Sequence, residues 1–466
     1  MNELPDGFII RLASKVRVRD GGHTLIGGAP LRVTYLSQEA RKLFPGKTLT
    51  VDSPASRLLA ENLLASGIAE PVVGQLDDID LSKVTCVIPV RDRSGSLDRL
   101  LTSLVGLPHL IVVDDCSRNP TPIADVAHRY GAVLIALEYN LGPAGARNAG
   151  LTTVKTPYVL FADSDIVLTV EAVGQLLKHF HDPQLAIAAP RILGLDGSTG
   201  WIGRYEAACS SLDLGDDSAL VRPRSKVAWV PSAVLVARVE ALGEGFDDTM
   251  AVGEDVDLIW RLADSGWRVR YDSDIVARHD HRTSFVSWLK RKAFYGLGAD
   301  LLASRHDRKV APAVLSPISA GIAVVALAQR RWSLPGVGIL AAVTFVRISK
   351  NLGRSDRPLI LATELTAQGI SATLAQTMAL LLRHWWPLAA IGSIFSARIR
   401  RAVVISAAAD SVFKYLRLSP NMNPLTFAVA RRLDDLAYGA GVWVGAIRGR
   451  SLKSLRPDIW AGSARR

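Results

Sequence analysis

Apolar and polar positions are patterned differently in three successive parts of the chain. Between residues 84 and 285, short apolar runs alternate with amphipathic stretches. Runs such as VTCVIPV and HLIVVDD are typical of strands buried on both faces, whereas SGSLDRLLTSLV has the period of a helix. Apolar strands that alternate with helices predict an α/β domain built on a parallel sheet with helices on both faces.

The front of the chain has a different pattern. Residues 1–74 contain short β-type runs interrupted by glycine-rich breaks, followed by helical stretches around Ser37–Leu43 and Pro54–Ser66. Glycine-rich breaks between such runs indicate a pair of hairpins. This order of elements predicts a small winged-helix-like module, and the polar stretch at residues 75–83 is expected to be a linker.

The rear of the chain, residues 301–466, carries four long uncharged runs. Those at Val310–Gln329 and Leu365–Leu382 are the longer ones, and those at Trp332–Val346 and Trp385–Ala397 are shorter. Because a helix needs about 20 apolar residues to cross a bilayer core, we expect the first run to span a membrane and the second to lie near the lower limit. The shorter runs fit tilted spans, re-entrant pieces or interfacial helices. The alternative is a buried helical subdomain.

The charge distribution favours a membrane surface over nucleic acid. The formal net charge is +11, yet residues 286–466 hold 26 Lys and Arg against 8 Asp and Glu, while the first 285 residues hold 29 against 36. Basic clusters that flank apolar helices fit an anionic membrane surface. A nucleic-acid-binding protein is expected to interleave basic residues with exposed aromatics or to carry a known module. We therefore expect a cell-membrane protein with no nucleic-acid partner.

The cysteines and the N-terminus indicate the compartment. Cys86, Cys116 and Cys209 form no CxxC spacing and no paired framework, which favours a reducing environment. The opening residues MNELPDGFIIRL lack the basic stretch and long apolar run of a secretory signal. The α/β domain is therefore expected to face the cytoplasm.

Polar residues gather where the strands of the α/β domain end, which is where open α/β sheets bind ligands. The stretches IPVRDR, VVDDCS, NLGPAGARNAG and FADSD all fall there. Asp163 and Asp165, at D-x-D spacing, can share a hard divalent cation, which in turn can bridge the oxygens of a diphosphate. A D-x-D pair alone is weak evidence, because it also occurs as a helix cap. Four such stretches in order make a metal-assisted diphosphate site the better interpretation.

The other stretches supply groups suited to a nucleotide. Asp114 or Asp115 can accept hydrogen bonds from a base or a ribose. Gly142 and Gly145 allow a close approach of the backbone, and Arg147 can place a cation near phosphates.

A fifth stretch, GFDDTMAVGEDVDLIWRLADSGW, places Glu254 and Asp255 at or just before the first turn of a helix. Out of context, an acidic pair there complements the helix dipole. Beside a sugar-nucleotide site, a carboxylate base is the better interpretation, because attack on an anomeric carbon requires a group that takes the acceptor proton. Downstream, either His279 or His281 can complete the metal site as a neutral imidazole. The alternative is a surface histidine beside Asp280.

Together these motifs resemble, over roughly residues 84–300, the series of the family 2 glycosyltransferases with the GT-A fold, a Rossmann-like α/β fold. The resemblance implies an inverting transfer of a hexose from a nucleotide-diphosphate sugar. It implies Asp255 as the catalytic base with Glu254 beside it, and Asp163 and Asp165 as the motif that holds a divalent metal. We expect Mg²⁺ or Mn²⁺ there, with His279 as a further ligand. It also implies that Val90 and Arg91 line the donor nucleotide and that Asp114 recognises the base. We expect the donor nucleotide site to include five further residues, Pro89, Asp115, Gly142, Arg147 and Asn148.

Two departures from the family pattern bear on its function. The usual asparagine after the first strand is replaced by Asp92. A Q-x-x-R-W motif is absent from the sequence, which argues against a processive synthase of the cellulose type.

The flanking parts narrow the prediction. Residues 8–70 resemble the small peptide-chaperone domain of ribosomal-peptide pathways, as in pyrroloquinoline quinone synthesis. Fused to a family 2 transferase and an apolar tail, this domain implies a peptide-derived redox cofactor precursor as the acceptor and glucose as the sugar, from UDP-glucose.

Two alternatives remain open. One is a membrane-associated transferase that acts on a lipid-linked or cell-wall glycan, which the apolar tail suits equally well. The front module disfavours it, because a lipid acceptor gives no reason for a peptide-binding unit. The other is a non-catalytic peptide-binding scaffold, which the presence of Asp163, Asp165 and Asp255 disfavours.

Overall fold

The computed structural model describes residues 3–195, 200–280 and 284–459. These form two compact units. The first contains residues 3–195 and 209–280, and the second contains residues 200–208 and 284–459.

The front of the first unit is a small α+β module. Its elements are β1 (Ile9–Leu12), β2 (Arg17–Arg19), β3 (Thr24–Gly27), β4 (Arg32–Tyr35), α1 (Gln38–Lys42), β5 (Thr48–Thr50), α2 (Pro54–Ala65) and β6 (Ala69–Pro71). They form two antiparallel sheets in the orders β5–β1–β6 and β2–β3–β4. The two predicted helices are confirmed to within about a residue at each end, because Ser37 and Ser53 cap them with their hydroxyl oxygens. The comparison with a winged helix stays a prediction.

The module is tied to the rest of the first unit by buried charge. Arg270, which is 4% exposed, donates to the carbonyl oxygen of Ala69 at 3.2 Å. Lys15 lies 3.3 Å from Asp217. The stretch predicted as a linker also makes contacts, since Asp78 pairs with Lys178 at 2.9 Å.

The remainder of the first unit is built on one large sheet. Its elements are β7 (Val84–Val90), α3 (Ser94–Ser103), β8 (Leu110–Asp114), α4 (Thr121–Arg129), β9 (Val133–Ala136), α5 (Gly142–Leu151), β10 (Tyr158–Ala162), β11 (Ile166–Val167), α6 (Val170–Lys178), β12 (Leu185–Gly194), β13 (Ala219–Leu220), β14 (Val234–Arg238), α8 (Val239–Leu242), α9 (Glu254–Asp264) and β15 (Arg268–His279). Between β12 and β13 the chain forms α7 (Trp201–Cys209), which belongs almost wholly to the second unit.

The sheet is mixed rather than parallel throughout. Its order is β11–β15–β12–β14–β10–β7–β8–β9, with β13 paired to β15. Strands β10, β7, β8 and β9 are parallel, as predicted, but β14 runs antiparallel to both β10 and β12. The expectation of an entirely parallel sheet is therefore wrong beyond β10. An apolar run predicts a buried strand but carries no information about its direction.

The order of the parallel strands determines where ligands can bind. Strand β8 lies on one side of β7 and β10 lies on the other, so the chain reverses its direction of progress across the sheet at β7. Such a reversal opens a crevice at the carboxyl ends of the strands. Helix α5 approaches the sheet closely there, since a Cβ on Gly150 would come within 2.3 Å of Val87 Cγ1.

The second unit is helical. Besides α7, it contains α10 (Phe285–His306), β16 (Val314–Leu315), α11 (Pro317–Ala328), α12 (Ser333–Asn351), α13 (Pro358–Ala379), α14 (Trp386–Phe395), α15 (Ala397–Leu418), α16 (Pro424–Arg448) and β17 (Asp458–Ile459). Helices α10 and α16 meet at glycines, where a Cβ on Gly441 would lie 1.9 Å from the carbonyl oxygen of Ala293.

A buried ion cluster lies beside this crossing. Lys292 is 2.9 Å from Glu206 and 3.4 Å from Asp434. Trp288 donates to Glu206, and the hydroxyl of Tyr205 donates to Asp434. Both acids therefore have partners, which buried charges require. The cluster fastens α7 to α10 and α16.

Within the described residues, two helical segments are long and apolar enough to cross a membrane: α12 (Ser333–Asn351), and α13 together with its continuation to His384 (Pro358–His384). The expectation of a span at Val310–Gln329 is wrong, because that run is divided between β16 and the 12-residue α11. A 12-residue helix is about 18 Å long, well short of a bilayer core of about 30 Å.

Candidate active site

Three loops at the carboxyl ends of β7 and β8 and before α5 are tied together by carboxylates. The amide of Asp92 donates to Ser117 Oγ at 2.8 Å, and the amide of Arg118 donates to Asp92 Oδ1 at 2.8 Å. The amide of Ser117 also donates to Asp114 Oδ1 at 3.1 Å. Asp92 has a φ of 56°, a conformation that aspartate and asparagine tolerate better than most residues. Asp92 and Asp114 thus hold the loops after β7 and β8 together.

Asp115 holds the third loop. Its Oδ1 accepts from the amide of Leu141 at 2.7 Å and its Oδ2 from the amide of Gly142 at 3.0 Å. Burial raises the pKa of this carboxyl, and the two amides oppose the rise. Gly142 has a φ of 73°, which accounts for glycine at the start of α5. Both residues were expected to contact a nucleotide, and that expectation stays a prediction; the structure shows that they shape the loop.

The other predicted nucleotide contacts lie at the end of β7. Val90 is 3% exposed, Pro89 is half-buried, and Arg91 is exposed where the strand ends. Their positions leave Arg91 as the member of this stretch with a side chain open to a ligand.

Arg147 is a buried link between two acidic stretches. It is 2% exposed, and its Nη2 donates to Asp163 Oδ1 at 2.6 Å while its Nη1 donates to Glu254 Oε1 at 3.1 Å. Its guanidinium lies 5.3 Å from the centre of the Phe246 ring. The sequence suggested a cation beside phosphates, but the structure places the guanidinium on two carboxylates.

Asn148 likewise serves the protein backbone. Its amide nitrogen donates to the carbonyl oxygen of Phe246 at 2.7 Å, and its amide oxygen accepts from the Phe246 amide at 2.9 Å. Gly245 has a φ of 78°, and a Cβ there would lie 2.5 Å from Asn148 Oδ1. Asn148 therefore positions the segment before α9, and its expected nucleotide contact stays a prediction.

The D-x-D pair and His279 lie close together, because β11 pairs with β15 so that Ile166 is opposite His279. His279 Nε2 is 3.5 Å from Asp165 Oδ1, and Arg93 forms an ion pair with the other oxygen of Asp165. His281, the alternative ligand, lies outside the described residues.

The residue types at this site suit a hard divalent cation, since two carboxylates and an imidazole are its potential ligands. Each carboxylate also has an arginine partner, Arg147 for Asp163 and Arg93 for Asp165. In the described part of the chain, no three His, Cys, Asp or Glu side chains are arranged closely enough to form a ready metal cluster. A cation on Asp163 and Asp165 would compete with these arginine partners. Arg93 was not singled out from the sequence, although it closes the IPVRDR stretch.

Glu254 and Asp255, at the start of α9, have different partners: an arginine side chain for Glu254 and backbone amides for Asp255. Glu254 forms an ion pair with Arg147 at 3.1 Å. Asp255 accepts from the amides of Val256 at 2.8 Å and Ser232 at 3.4 Å. Burial, and then the negative charge of Glu254, raise the pKa of Asp255 to about 7. A carboxyl group with a pKa near neutrality is suited to act as a general base.

Two neighbours of the acidic pair complete this part of the site. Asp257 is fully buried and accepts from Arg261 at 2.8 Å, so it is a structural acid. Ser232, whose amide contacts Asp255, was missed from the sequence, because a backbone donor leaves no signal in residue type.

The sequence that contains this site matches two models of known protein families. The model for glycosyl transferase family 2 matches residues 85–229, and that for glycosyl transferase family group 2 matches residues 158–430. The chain belongs to the family 2 glycosyltransferases and is a glycosyltransferase, and its sheet domain has the GT-A fold.

One relative matches along almost the whole chain. The pre-mycofactocin glycosyltransferase of Mycobacterium tuberculosis is 40% identical over 475 residues, which cover 98% of both chains. The poly-beta-1,6-N-acetyl-D-glucosamine synthase of Staphylococcus aureus is 23% identical over 202 residues, 41% of this chain and 48% of that protein. A solved mannosyltransferase from Pyrobaculum calidifontis, in complex with GDP-Man and Mn²⁺, has a TM-score of 0.37 and 16% identity over 65% of this chain and 89% of that chain.

Proposed function

We propose that this enzyme transfers a hexose, glucose from UDP-glucose, to a peptide-derived redox cofactor precursor in the mycofactocin pathway. The observation that carries the proposal is the 40% identity to the Mycobacterium tuberculosis enzyme over 98% of both chains. This match includes the front module and the helical rear as well as the transferase domain. The Staphylococcus aureus synthase covers only 41% of this chain and gives no comparable support for its acceptor.

The proposed chemistry is a single displacement with inversion. Asp255 takes the proton of the acceptor hydroxyl as that oxygen attacks the anomeric carbon, and the nucleoside diphosphate leaves from the opposite face. The raised pKa of Asp255 supports this role, because the base must hold the proton as it is released. The negative charge of Glu254 keeps the proton affinity of Asp255 high, and the amides of Val256 and Ser232 position the Asp255 carboxylate.

The proposed donor site lies at the carboxyl ends of β7 and β8. Asp114 accepts from the base, and Pro89, Val90 and Arg91 line the nucleotide. We assign the metal to Asp163, Asp165 and His279, whose donor atoms suit Mg²⁺ or Mn²⁺. When bound, such an ion offsets the negative charge that develops on the departing diphosphate.

The flanking parts receive roles of their own in this proposal. The module of residues 1–74 binds the peptide-derived acceptor as a winged-helix-like unit, residues 75–83 link it to the transferase domain of residues 84–300, and residues 301–466 hold the enzyme on the cytoplasmic face of the cell membrane. Helices Ser333–Asn351 and Pro358–His384 support the membrane assignment by their length and composition. The chain should therefore sediment with membranes and stay there in high salt, which screens purely electrostatic contacts.

The decisive experiment compares donors and acceptors directly. The purified full chain is incubated with the peptide-derived precursor and, in turn, UDP-glucose, UDP-galactose and GDP-mannose, and the product is weighed by mass spectrometry. Addition of a hexose from UDP-glucose, abolished in Asp255→Asn, is the expected result. Transfer to a polyprenyl-phosphate-linked glycan but not to the peptide-derived precursor would support the alternative acceptor instead.

A further inference from the structure

Helix α15 packs a charged residue inward and turns several large apolar side chains outward. A helix on a soluble protein turns its apolar face inward and its polar face to water. In α15 the inward face holds Asp410 and the buried Ser411, whereas the outward face is apolar. This reversal requires an explanation, because a large exposed apolar surface is unfavourable in water.

The inward face is anchored by charge. Asp410 lies 3.0 Å from Arg431 and also forms an ion pair with Arg432, both on α16. On the same helix, the ring of Tyr415 packs against that of Phe427, with centres 5.5 Å apart. These contacts set the rotation of α15 about its own axis, so the apolar face cannot turn inward without breaking half-buried ion pairs.

The outward face is a continuous apolar stripe. Its large residues are 59–71% exposed: Val404, Ile405, Val412, Phe413 and Leu416. Ile405, Val412 and Leu416 are separated by seven and four positions, which places them on one side of the helix. The stripe therefore runs along most of α15.

Basic residues flank the stripe. Arg400 and Arg401 are exposed at one end of α15, and Arg417 is exposed at the other. Long arginine side chains can reach a charged layer while their stems lie along apolar surface. An apolar stripe bordered by arginines matches the boundary between the acyl chains and the anionic headgroups of a bilayer.

We propose that the apolar stripe of α15 binds an anionic lipid surface, with the helix lying parallel to the bilayer rather than crossing it. Six of its 22 residues are charged, and a transmembrane orientation would carry Asp410 into the hydrocarbon. In the parallel orientation, Asp410 and its arginines stay on the protein side. This inference rests on the membrane association proposed above and adds the surface that makes the contact.

The test measures the depth of two spin labels on the full chain. Labels are placed at Ile405→Cys and Leu416→Cys in vesicles of phosphatidylcholine with or without phosphatidylglycerol. The two positions share a face and are separated by about 16 Å along the helix axis. Accessibility to oxygen and to a water-soluble nickel complex reports their depth. Leu58→Cys, exposed on α2, is the matched control, and the labelled unsubstituted chain supplies the background from the native cysteines.

We expect both labels at the same shallow depth, about 5–10 Å into the headgroup boundary, and deeper when phosphatidylglycerol is present. Depths that differ by the axial spacing would mean that α15 crosses the bilayer. Water accessibility equal to that of Leu58→Cys would mean that the stripe does not meet lipid. Broadening that disappears on dilution with unlabelled chain would assign the stripe to a second copy.

The remaining outcomes separate the two proposals. An equal depth in both lipid mixtures would overturn the role of anionic headgroups. If the chain fails to sediment with vesicles at all, the proposed membrane association itself is wrong. Sedimentation with water-accessible labels would overturn only the inference about α15.

Discussion

Replacement of Asp255 by asparagine separates its two interpretations, as a general base or as a partner of the helix dipole. Asparagine keeps the size of the side chain and can accept from the amides of Val256 and Ser232, but it cannot take a proton. Loss of a positioned base typically lowers the rate by about 10²- to 10⁴-fold. We therefore expect transfer to fall by at least about 10²-fold, with donor affinity nearly unchanged because the proton that moves belongs to the acceptor.

The pH dependence of kcat/KM provides a second test of Asp255 as the general base. A base with a pKa of about 7 is roughly 10% ionised at pH 6 and roughly 90% ionised at pH 8, so kcat/KM should rise about ninefold over that interval. The charge of Glu254 raises the pKa of Asp255. Glu254→Gln should therefore shift this rise in kcat/KM to lower pH. Asp255→Asn should abolish this rise of kcat/KM with pH.

Stability provides the control. The pKa of Asp255 is raised in the folded chain above its unfolded value of about 3.9, so folding becomes less favourable as the pH rises between these two values. Asparagine carries no charge, and the variant should unfold at or above the wild-type temperature at pH 8. If Asp255 only complements the helix dipole, the variant should instead lose about 0.3–1 kcal/mol and keep its catalysis.

The assay is a pair of measurements on the same preparations. Donor affinity is measured by calorimetry and initial rates of transfer by mass spectrometry, across pH, for wild type, Asp255→Asn and Glu254→Gln. Near-wild-type turnover by Asp255→Asn would refute the base assignment. If kcat/KM of Glu254→Gln rises over the same pH range as in the wild type, the electrostatic account of the raised pKa of Asp255 would be refuted.

Three further predictions concern the metal, the loops and the packing of α5. Excess chelator should abolish transfer and Mn²⁺ should restore it, with Asp163→Asn requiring more Mn²⁺ for half-maximal rate; full activity in chelator would contradict the metal role. Asp92→Ala should weaken nucleotide binding about 2- to 10-fold in calorimetry by releasing the loop after β8, whereas Asp92→Asn, which keeps an acceptor oxygen, should bind as wild type. Gly150→Ala should cost about 1–3 kcal/mol by pushing α5 off β7, while Gly174→Ala, with open space around it on α6, should gain up to about 1 kcal/mol, both read by thermal unfolding. Equal stability of these two variants would contradict the close approach at Gly150.

Strand positions and the placement of the acidic motifs could be predicted from sequence because each depends on local pattern. The run Val84–Val90 is a strand over the expected residues, and Glu254 begins a helix as expected. The D-x-D pair follows β10 for the same reason, since burying two carboxylates without partners would be costly, and a buried apolar strand is expected to end before them. Direction within the sheet was not predictable, because β14 is apolar in either orientation.

The partners of the charged side chains could not be predicted, because they come from distant parts of the chain. Arg147 and Glu254 are 107 positions apart, and Asn148 and Phe246 are 98 apart. Residue type made Arg147 a candidate for phosphate binding, and tertiary structure gave it two carboxylates. The same holds for Arg93, which meets Asp165 only because β7 and β10 are neighbours.

The rear of the chain shows why counting charges is a poor guide to how a helix meets a membrane. The uncharged run Val310–Gln329 contains Ser316 and Pro317, an N-cap and first-turn pair that begins a short helix in its middle. The shorter run after Trp332 continues as helix to Asn351, past the charges at which the run appeared to end. Composition also cannot distinguish α15 from an ordinary surface helix, because both carry similar numbers of apolar and charged residues. The two differ in which face of the helix packs against the protein. In α15 the face packed against α16 is the one that holds Asp410.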